Sequence, residues 1–385
     1  MKRVQKVITN ALYRLRGSTL LVEQINGVYK VSRAYDAESN RPARIVKQKI
    51  VRNLSELKPS LFGIRTFGSV ILALDSHHAT TIESAVKLVR ASPHDAIDEG
   101  ELDALLFHGF WNFLNRYRTF ASKKLGINEL DLIVANVAVK EVRIGTHTVF
   151  NPLDFSGREL FLKFRGTLIA REFLPSITHL SKFVSGNIIV VERGSILMEA
   201  IGESIVFLEI GDERTSVYTI GNDESSYAGE CAWGAKNITG ALAKLFGVHM
   251  HVVPALLNRY TNNQISEKMR HTIVRTAREE IKNCMQHLES VVPASHMKKS
   301  AIRYVLSSVH PIPESLFVSG ELRSASFMFP TNKALGITRR LDEREGGEPH
   351  RDQSLALFAF PYLHPQYMPI NQLLQRRVKW LMPHA

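Results

Sequence analysis

The chain is poor in cysteine, in long apolar runs and in acid near its two ends. Two cysteines in 385 residues, Cys231 and Cys284, exclude a disulfide scaffold and a cysteine-rich metal site. A reducing compartment is expected, with both thiols as small apolar core groups. The longest near-continuous apolar run is Leu355–Leu363, and Pro361 breaks it. A bilayer-crossing helix needs about 20 apolar residues, so no transmembrane helix is expected. The N-terminus is basic but has no apolar h-region, so no secretory signal is expected. Nucleophile elbow, P-loop lysine motif and Rossmann fingerprint are all missing. There is no low-complexity tract and no internal sequence repeat. His77 and His78 are adjacent and would point to opposite faces of a strand, which argues against a metal site. His249 and His251 would share a strand face, but no third ligand accompanies them.

What is present is a core and an uneven charge. With 44% hydrophobic and 22% charged residues the chain is globular, and its length suggests two to three structural units at about 150 residues each. The net charge is +12. Residues 1–52 carry twelve Lys/Arg against Glu23, Asp36 and Glu38, and the last sixteen residues carry Arg376, Arg377 and Lys379 with no acid. The middle is balanced. Such a distribution calls for an anionic partner. Nucleic acid is not the expected one, because residues 1–52 lack the interleaved aromatics of a single-strand binder, although Tyr13, Tyr29 and Tyr35 are present.

Apolar spacing predicts a basic amphipathic helix over 2–16, ended by Gly17. Strands follow at Ser18–Glu23, Gly27–Arg33 and Arg44–Val51, the first two joined by the hairpin signal Gln24-Ile25-Asn26-Gly27. Ser69–Leu74, Glu83–Arg90, Leu130–Val139 and Leu160–Ile169 read as further strands. A helix from Asp98 to about Leu125 shows an apolar face of Leu102, Leu105, Leu106, Phe110, Phe113, Leu114 and Tyr117. Later come strands at Asn187–Glu192, Ser204–Ile210 and Ser216–Ile220, helices at Gly240–Phe246 and Ser266–Leu288, and a strand at Leu316–Ser319. A charged loop follows at 339–351, and then a buried run at Leu355–Phe360. Alternating strands and helices in two blocks predict an α/β protein with two lobes and a small α+β insertion at about 68–175.

The element richest in chemistry is a buried strand running into a polar turn and returning, residues 204–220. Glu209-Ile210-Gly211 presents a carboxylate and backbone N–H groups at one edge, a pattern able to hold phosphate and, through water, Mg2+. The hairpin from Glu23 to Gly27, Gly234 before a helix and Ser319-Gly320 after a strand are similar strand-end turns. Spread over two lobes, they would surround one nucleotide.

In this arrangement the chain resembles the actin-like ATPase superfamily, and within it the bacterial cell-division protein FtsA. The family's second phosphate loop, D-I-G-G-G-T-x-D-I, is matched by Glu209-Ile210-Gly211-Asp212-Glu213-Arg214-Thr215-Ser216-Val217. Its G-G-x-x-I-T element is matched by Gly234-Ala235-Lys236-Asn237-Ile238-Thr239, its A-E-x-I-K by Arg278-Glu279-Glu280-Ile281-Lys282, and its T-G-G-G by Ser319-Gly320-Glu321-Leu322. Asn151 to Leu160 resembles the D-P-x-G-x-x-G-x-x-L of its extra subdomain, and Asp95 to Leu102 that subdomain's acidic helix entry. The resemblance spans residues 18–382. It implies a two-lobed actin-like, ribonuclease H-like fold with an inserted FtsA-type subdomain. The parts would be a basic helix at 1–17, lobe 1 at 18–67 and 176–205, the insert at 68–175, lobe 2 at 206–365 and an amphipathic tail at 366–385. It also implies ATP with Mg2+ as ligand. Asn26, Gly27, Lys30, Gly211, Asp212, Thr215, Gly234, Gly320 and Glu321 would lie around the phosphates and adenosine, Glu279 and Lys282 would contact ribose and base, and Glu209 would be the catalytic acid.

Departures from the motif bear on activity. The first loop, D-x-G-[ST] in the family, is Glu23-Gln24-Ile25-Asn26-Gly27. Asp212 and Glu213 stand where the family has glycines. A carboxylate about 4 Å from a phosphate costs about 4 kcal/mol per unit-charge pair at an effective dielectric near 20, and side chains block the backbone approach that glycine permits. Mg2+ would screen these acids, and Arg214 would neutralise one. Ser216 replaces the family's later acid, and Glu321 replaces a glycine on which adenosine lies. The cradle is eroded, so hydrolysis is expected to be weak or absent.

At 100° per residue Ile370, Leu373, Leu374, Val378, Trp380 and Leu381 share one arc of a helix, with Gln372, Gln375, Arg376 and Lys379 opposite and Arg377 at the edge of the arc. A basic amphipathic helix of this kind suits an anionic bilayer, with Leu373, Leu374, Arg376, Arg377, Val378, Lys379, Trp380 and Leu381 as membrane-binding residues. FtsA-like proteins end in such a helix. The resemblance therefore implies a cytoplasmic scaffold, peripheral on the inner face of the plasma membrane, that self-associates and tethers a tubulin-like division protein. The alternatives are a PilM-like pilus assembly protein, whose relatives lack the tail, and a soluble actin-like ATPase.

Overall fold

The computed structural model describes residues 19–25, 28–34, 45–58, 67–185, 188–201, 206–220, 225–292, 302–308, 312–313, 316, 325–328 and 369–378. They divide into two compact units, one comprising 1–202, 223–226 and 332–385, the other 203–222 and 227–331. The expected helix at 2–16, the loop at 339–351 and the run at 355–360 lie outside the described residues.

The central sheet of the first unit is built from β1 (Thr19–Ile25), β2 (Val28–Ala34), β3 (Ile45–Val51), β4 (Ser69–Leu74) and β9 (Ile188–Glu192), in the order β3-β2-β1-β4-β9. β1, β2 and β3 form an antiparallel meander, while β4 runs parallel to β1 and β9 parallel to β4. Leu20–Val22, Val70–Leu74 and Val190–Val191 are all buried. These runs are continuously apolar because strands covered on both faces have no solvent side on which to place polar residues.

The second unit repeats the plan with β10 (Val206–Ile210), β11 (Thr215–Ile220), β12 (Ser225–Cys231), β13 (Ile302–Ser308) and β14 (Ala325–Met328), in the order β12-β11-β10-β13-β14. β10 is antiparallel to β11 and parallel to β13, and β13 is parallel to β14. Two sheets with one strand order, and with matching strand senses in every pairing described for both, make this the actin-like fold. The repetition lies in topology and not in letters, which is why the sequence shows no repeat. Three helices cover one side of this sheet: α4 (Ala235–Phe246), α5 (Val253–Thr261) and α6 (Glu267–Val291). Val206, Leu208 and Ile210 of β10 meet Ile238 and Leu242 of α4 and Ile273, Ala277 and Ile281 of α6 in its core. Ser266 caps α6 by accepting the Met269 N–H.

The insertion is smaller than the sequence suggests. Ser69–Leu74 pairs with β1, so the inserted sheet starts at β5 (Ala79–Val89) and continues through β6 (Leu132–Ile144), β7 (His147–Val149) and β8 (Glu159–Ala170), ordered β5-β8-β6-β7 and antiparallel throughout. Helix α1 (Glu99–Leu125) lies on it. Asp98 accepts the Glu101 N–H at 2.7 Å, Glu99 and Glu101 stand in the first turn, Lys123 and Lys124 in the last, and Gly126 closes the helix at φ 66°. Gly109 faces the sheet where a Cβ would meet Leu88, Leu162 and Phe164 at 3.2 Å, so the small residue sets how closely helix and sheet approach. Two short helices complete this unit: α2 (Leu174–Ser181) and α3 (Arg193–Ile201).

Three further elements differ from expectation. The parallel neighbour of β10 is Ile302–Ser308, a stretch whose polar Arg303, Ser307 and Ser308 interrupt its apolar signal. Leu316, expected to start a strand, sits in a short helical turn. His249 and His251 belong to a 3-10 turn (Met250–Val252) and its cap, not to a strand.

The C-terminal helix, α7 (Pro369–Val378), is also not the free amphipathic tail that the sequence suggests. It packs on α1 and β6, with Ile370, Leu374 and Val378 fully buried in the core of the insert. The i, i+4, i+8 spacing that suits a bilayer suits a protein core equally well. Buried Asn371 accepts the Val139 N–H at 2.6 Å and donates to the Val139 carbonyl at 2.9 Å. The short strand β7 pairs only Val142–Ile144, so this amide completes the sheet edge beyond its end. Arg377 Nε donates to both oxygens of Asp103, at 2.8 and 2.7 Å. Leu374 and Val378 are thus committed to the body, Leu373 is half-buried, and Arg376 is exposed, while Lys379, Trp380 and Leu381 lie outside the described residues. No single helix among the described residues is long and apolar enough to cross a membrane.

Candidate functional site

In an open sheet the carboxyl ends of parallel strands are the natural place for a ligand. Each unit places a buried acid there, on the first strand of its sheet: Glu23 on β1 and Glu209 on β10.

In the second unit the strand end runs into the hairpin Gly211–Arg214. The Gly211 N–H donates to the Arg214 carbonyl at 2.9 Å, closing the turn. The turn then docks on the start of α4. The Ala235 N–H donates to the Gly211 carbonyl at 2.9 Å, the Lys236 N–H to the Asp212 carbonyl at 2.8 Å, and Thr215 Oγ1 to the Trp233 carbonyl at 2.7 Å. Asn237 Oδ1 accepts the Gly234 N–H at 3.0 Å. A helix N-terminus has orphan N–H groups that suit an anion. Here hairpin carbonyls already take the first two of the helix, which also explains why α4 begins at Ala235 and not at Gly240. A Cβ on Gly234 would overlap the Asp212 carbonyl, so glycine is required for this contact and not for a phosphate.

The two acids of the hairpin are neutralised from within the unit. Lys236 Nζ lies 2.8 Å from Glu213 and 3.9 Å from Asp212. The hydrogen bond to Lys236 holds the Glu213 carboxyl below the usual glutamate range, and the same bond raises Lys236. Arg214 pairs with Glu230 at 2.6 Å, and this bond raises its pKa. The main neutralising cation is therefore Lys236, with Arg214, the one the sequence suggested, adding a smaller attraction to Glu213. Glu209 is buried with Phe207 on the sheet face opposite the helices, and the Tyr218 hydroxyl donates to it at 3.5 Å. Cys284 lies beside Cys231 in the core; the hydrogen bond to Cys231 and burial push its thiol pKa up, which keeps it unreactive.

In the first unit the strand end is a buried ion-pair cluster. Glu23, 1% exposed, faces Arg193 Nε at 3.3 Å and, directly across the hairpin, Lys30 at 3.7 Å. Glu192 at the end of β9 is fully buried. It accepts from Lys124 Nζ at 2.6 Å, from the Thr81 N–H at 2.5 Å and from Ser195 Oγ at 2.7 Å. Lys124 also bonds Thr80 Oγ1 at 3.1 Å, so the last turn of α1 ties the insert to the central sheet. Burial of these charges is tolerable because each carboxylate meets a cation and further donors.

The structure therefore brings Gly211, Asp212, Thr215 and Gly234 together, with Glu209 two residues before the turn. Glu279 and Lys282 are exposed on α6. Lys30 is turned to Glu23. Asn26, Gly27, Gly320 and Glu321 lie outside the described residues. Sequence reasoning passed over Lys124 and did not read Glu192 and Arg193 as a buried ion-pair site, although a charge closing an apolar run, as in Ile188–Glu192, is a readable sign of a buried pair.

The Gly211 N–H and the first two donors of α4 are taken by carbonyls, and the side chains at the turn include two carboxylates. Among the described residues no group of three His, Cys, Asp or Glu side chains is placed to hold a metal ion.

No protein-family model and no curated protein matches this chain. Solved structures match it in fold. A chain of a PilM–PilN type IV pilus biogenesis complex superposes with a TM-score of 0.53 at 14% identity, covering 91% of this chain and 100% of that one. A Bacteroides thetaiotaomicron protein with actin-like ATPase fold and unknown function gives 0.35 at 10% identity, covering 86% and 98%. The cytoplasmic domain of EpsL, an inner-membrane component of the Vibrio cholerae type II secretion system, gives 0.36 at 10% identity, covering 90% and 95%.

Proposed function

We propose that this chain is an actin-like scaffold that acts by holding partner proteins and not by turning over ATP. The observation that carries this reading is the Gly211–Arg214 hairpin, whose carbonyls occupy the start of α4 and whose acids are neutralised by Lys236. A pocket for turnover needs those donors open and the transition-state charge met by cations; here carboxylates line the turn.

Among scaffolds, an assembly platform of the PilM kind is the favoured form. The chain matches the full length of the protein from the PilM–PilN complex in fold. The feature that set a division tether apart in the sequence was a free amphipathic tail, and Ile370, Leu374 and Val378 are buried in the insert instead. An FtsA-like role, with self-association, a tubulin-like partner and ATP–Mg2+, requires α7 to leave the body and the hairpin to open.

The test is titration of a fluorescent ATP analogue with and without Mg2+, beside an assay for phosphate release. No turnover is expected, and any binding should be insensitive to Glu209→Ala. Steady phosphate release that disappears in Glu209→Ala would show that the chain is an ATPase.

A further inference from the structure

Residues 231–266 contain neither Asp nor Glu, while Lys236, Lys244, Arg259 and two histidines fall among them. This acid-free stretch folds into a corner. α4 and the helical segment Met250–Thr261 meet at 105°, and together they are as apolar as a membrane-spanning segment. Gly247 at φ 62° makes the turn, a backbone conformation that other residues adopt at a cost.

The corner is anchored from beneath and apolar on top. Leu242, Ala243, Val253, Leu257 and Tyr260 are buried in the core of the second unit. Leu245 and Met250, each 45% exposed, stand out from it with Val252 at 40% and Val248 at 36%. The exposed His249 and His251 rings stack between them, centroids 5.5 Å apart. Lys244, also exposed, precedes Leu245. Large apolar side chains exposed together at one bend mark a contact surface.

We infer that this corner docks on an anionic lipid bilayer, with Leu245, Val248, Met250 and Val252 entering the headgroup region. Two features favour a bilayer over a protein groove or a second copy. The apolar side chains stand at a bend between two helices, next to exposed Lys244. The stretch has no acid of its own, and with Lys236 held by Glu213 it still exposes Lys244 and Arg259, the sign that anionic lipid attracts. The inference does not rest on the state of the phosphate hairpin, so its failure would leave the scaffold reading standing, and the reverse holds too.

The experiment is co-sedimentation of the full chain with vesicles of phosphatidylcholine alone and of phosphatidylcholine with phosphatidylserine. Binding is expected on the second and little on the first. The double variant Val248→Asp, Met250→Asp alters only exposed side chains and should keep the wild-type melting curve while binding at least about tenfold more weakly. Arg376→Glu, on the exposed side of α7, should bind as the wild type does. Undiminished binding by the double variant overturns the inference, as does loss of binding in Arg376→Glu, which would return the contact to the tail. A wild-type chain that ignores both vesicles but forms dimers sensitive to the double variant would assign the corner to a second copy and overturn it likewise.

Discussion

The two sheets carry an acid at the same place, and the charged groups described around it are arranged differently. In the first unit Glu23 and the neighbouring Glu192 are buried, and their cations, Arg193 and Lys124, are buried with them. In the second unit Glu209 is buried beside Tyr218, while the ion pairs gather on the adjacent exposed hairpin, Lys236 with Glu213 and Arg214 with Glu230. Strand order and register are set by apolar side chains away from the strand ends, so the ends are free to diverge. A buried charge must be matched at close range, because losing its partner leaves a desolvated ion. An exposed pair is screened by water and salt and adds little stability; what it decides is which ligands the hairpin will admit.

That contrast can be broken most sharply at Lys124. Lys124→Met leaves Glu192 buried without its cation and should cost about 3–5 kcal/mol in chemical denaturation. A loss below about 1 kcal/mol would mean that the two ends do not differ in kind. Asn371→Leu removes both bonds to the Val139 backbone and should cost about 2–3 kcal/mol, seen as faster proteolysis of α7 and faster amide exchange at Val139. Exchange unchanged at Val139 would show that the amide is dispensable. Gly234→Ala drives a Cβ into the Asp212 carbonyl; it should cost about 1–3 kcal/mol and speed exchange of the Ala235 and Lys236 amides. If it also confers ATP-analogue binding, the closed hairpin is the barrier that the scaffold reading says it is.

The smallest effect is on pH. Asp103 and Glu213 are held below their ordinary values of 3.8 and 4.5 by hydrogen bonds to Arg377 and Lys236. Their contribution is therefore complete above those ordinary values and fades as pH falls through the lower folded ones. Docking of α7 should loosen only in that acid range, and Asp103→Asn should remove the dependence. A dependence that persists in Asp103→Asn would point to another carboxylate.

Much of the fold was legible in the residues. The strands with unbroken apolar runs, the helix capped by Asp98 and ended by Gly126, and the hairpin after Ile210 follow from local rules. β13 was not, because Arg303, Ser307 and Ser308 interrupt its pattern, and neither was the true start of the insert, because only pairing with β1 assigns Ser69–Leu74 to the central sheet. At the site, the structure brings Gly211, Asp212, Thr215 and Gly234 together, but their purpose was not readable. A glycine before a helix serves a phosphate or a neighbouring carbonyl equally well.

By itself, then, the sequence determined the α/β class, the two-block plan and the presence of carboxylates where a phosphate loop would need glycine. These follow from period, composition and side-chain charge, which are properties of short segments. Only the tertiary structure decided that the hairpin closes onto α4, that Lys236 is the main cation on its acids, and that the amphipathic C-terminal helix lies against α1 and β6. Each of these depends on which residues distant in the chain come within a few ångströms, and an amphipathic face records that it will be covered without recording by what.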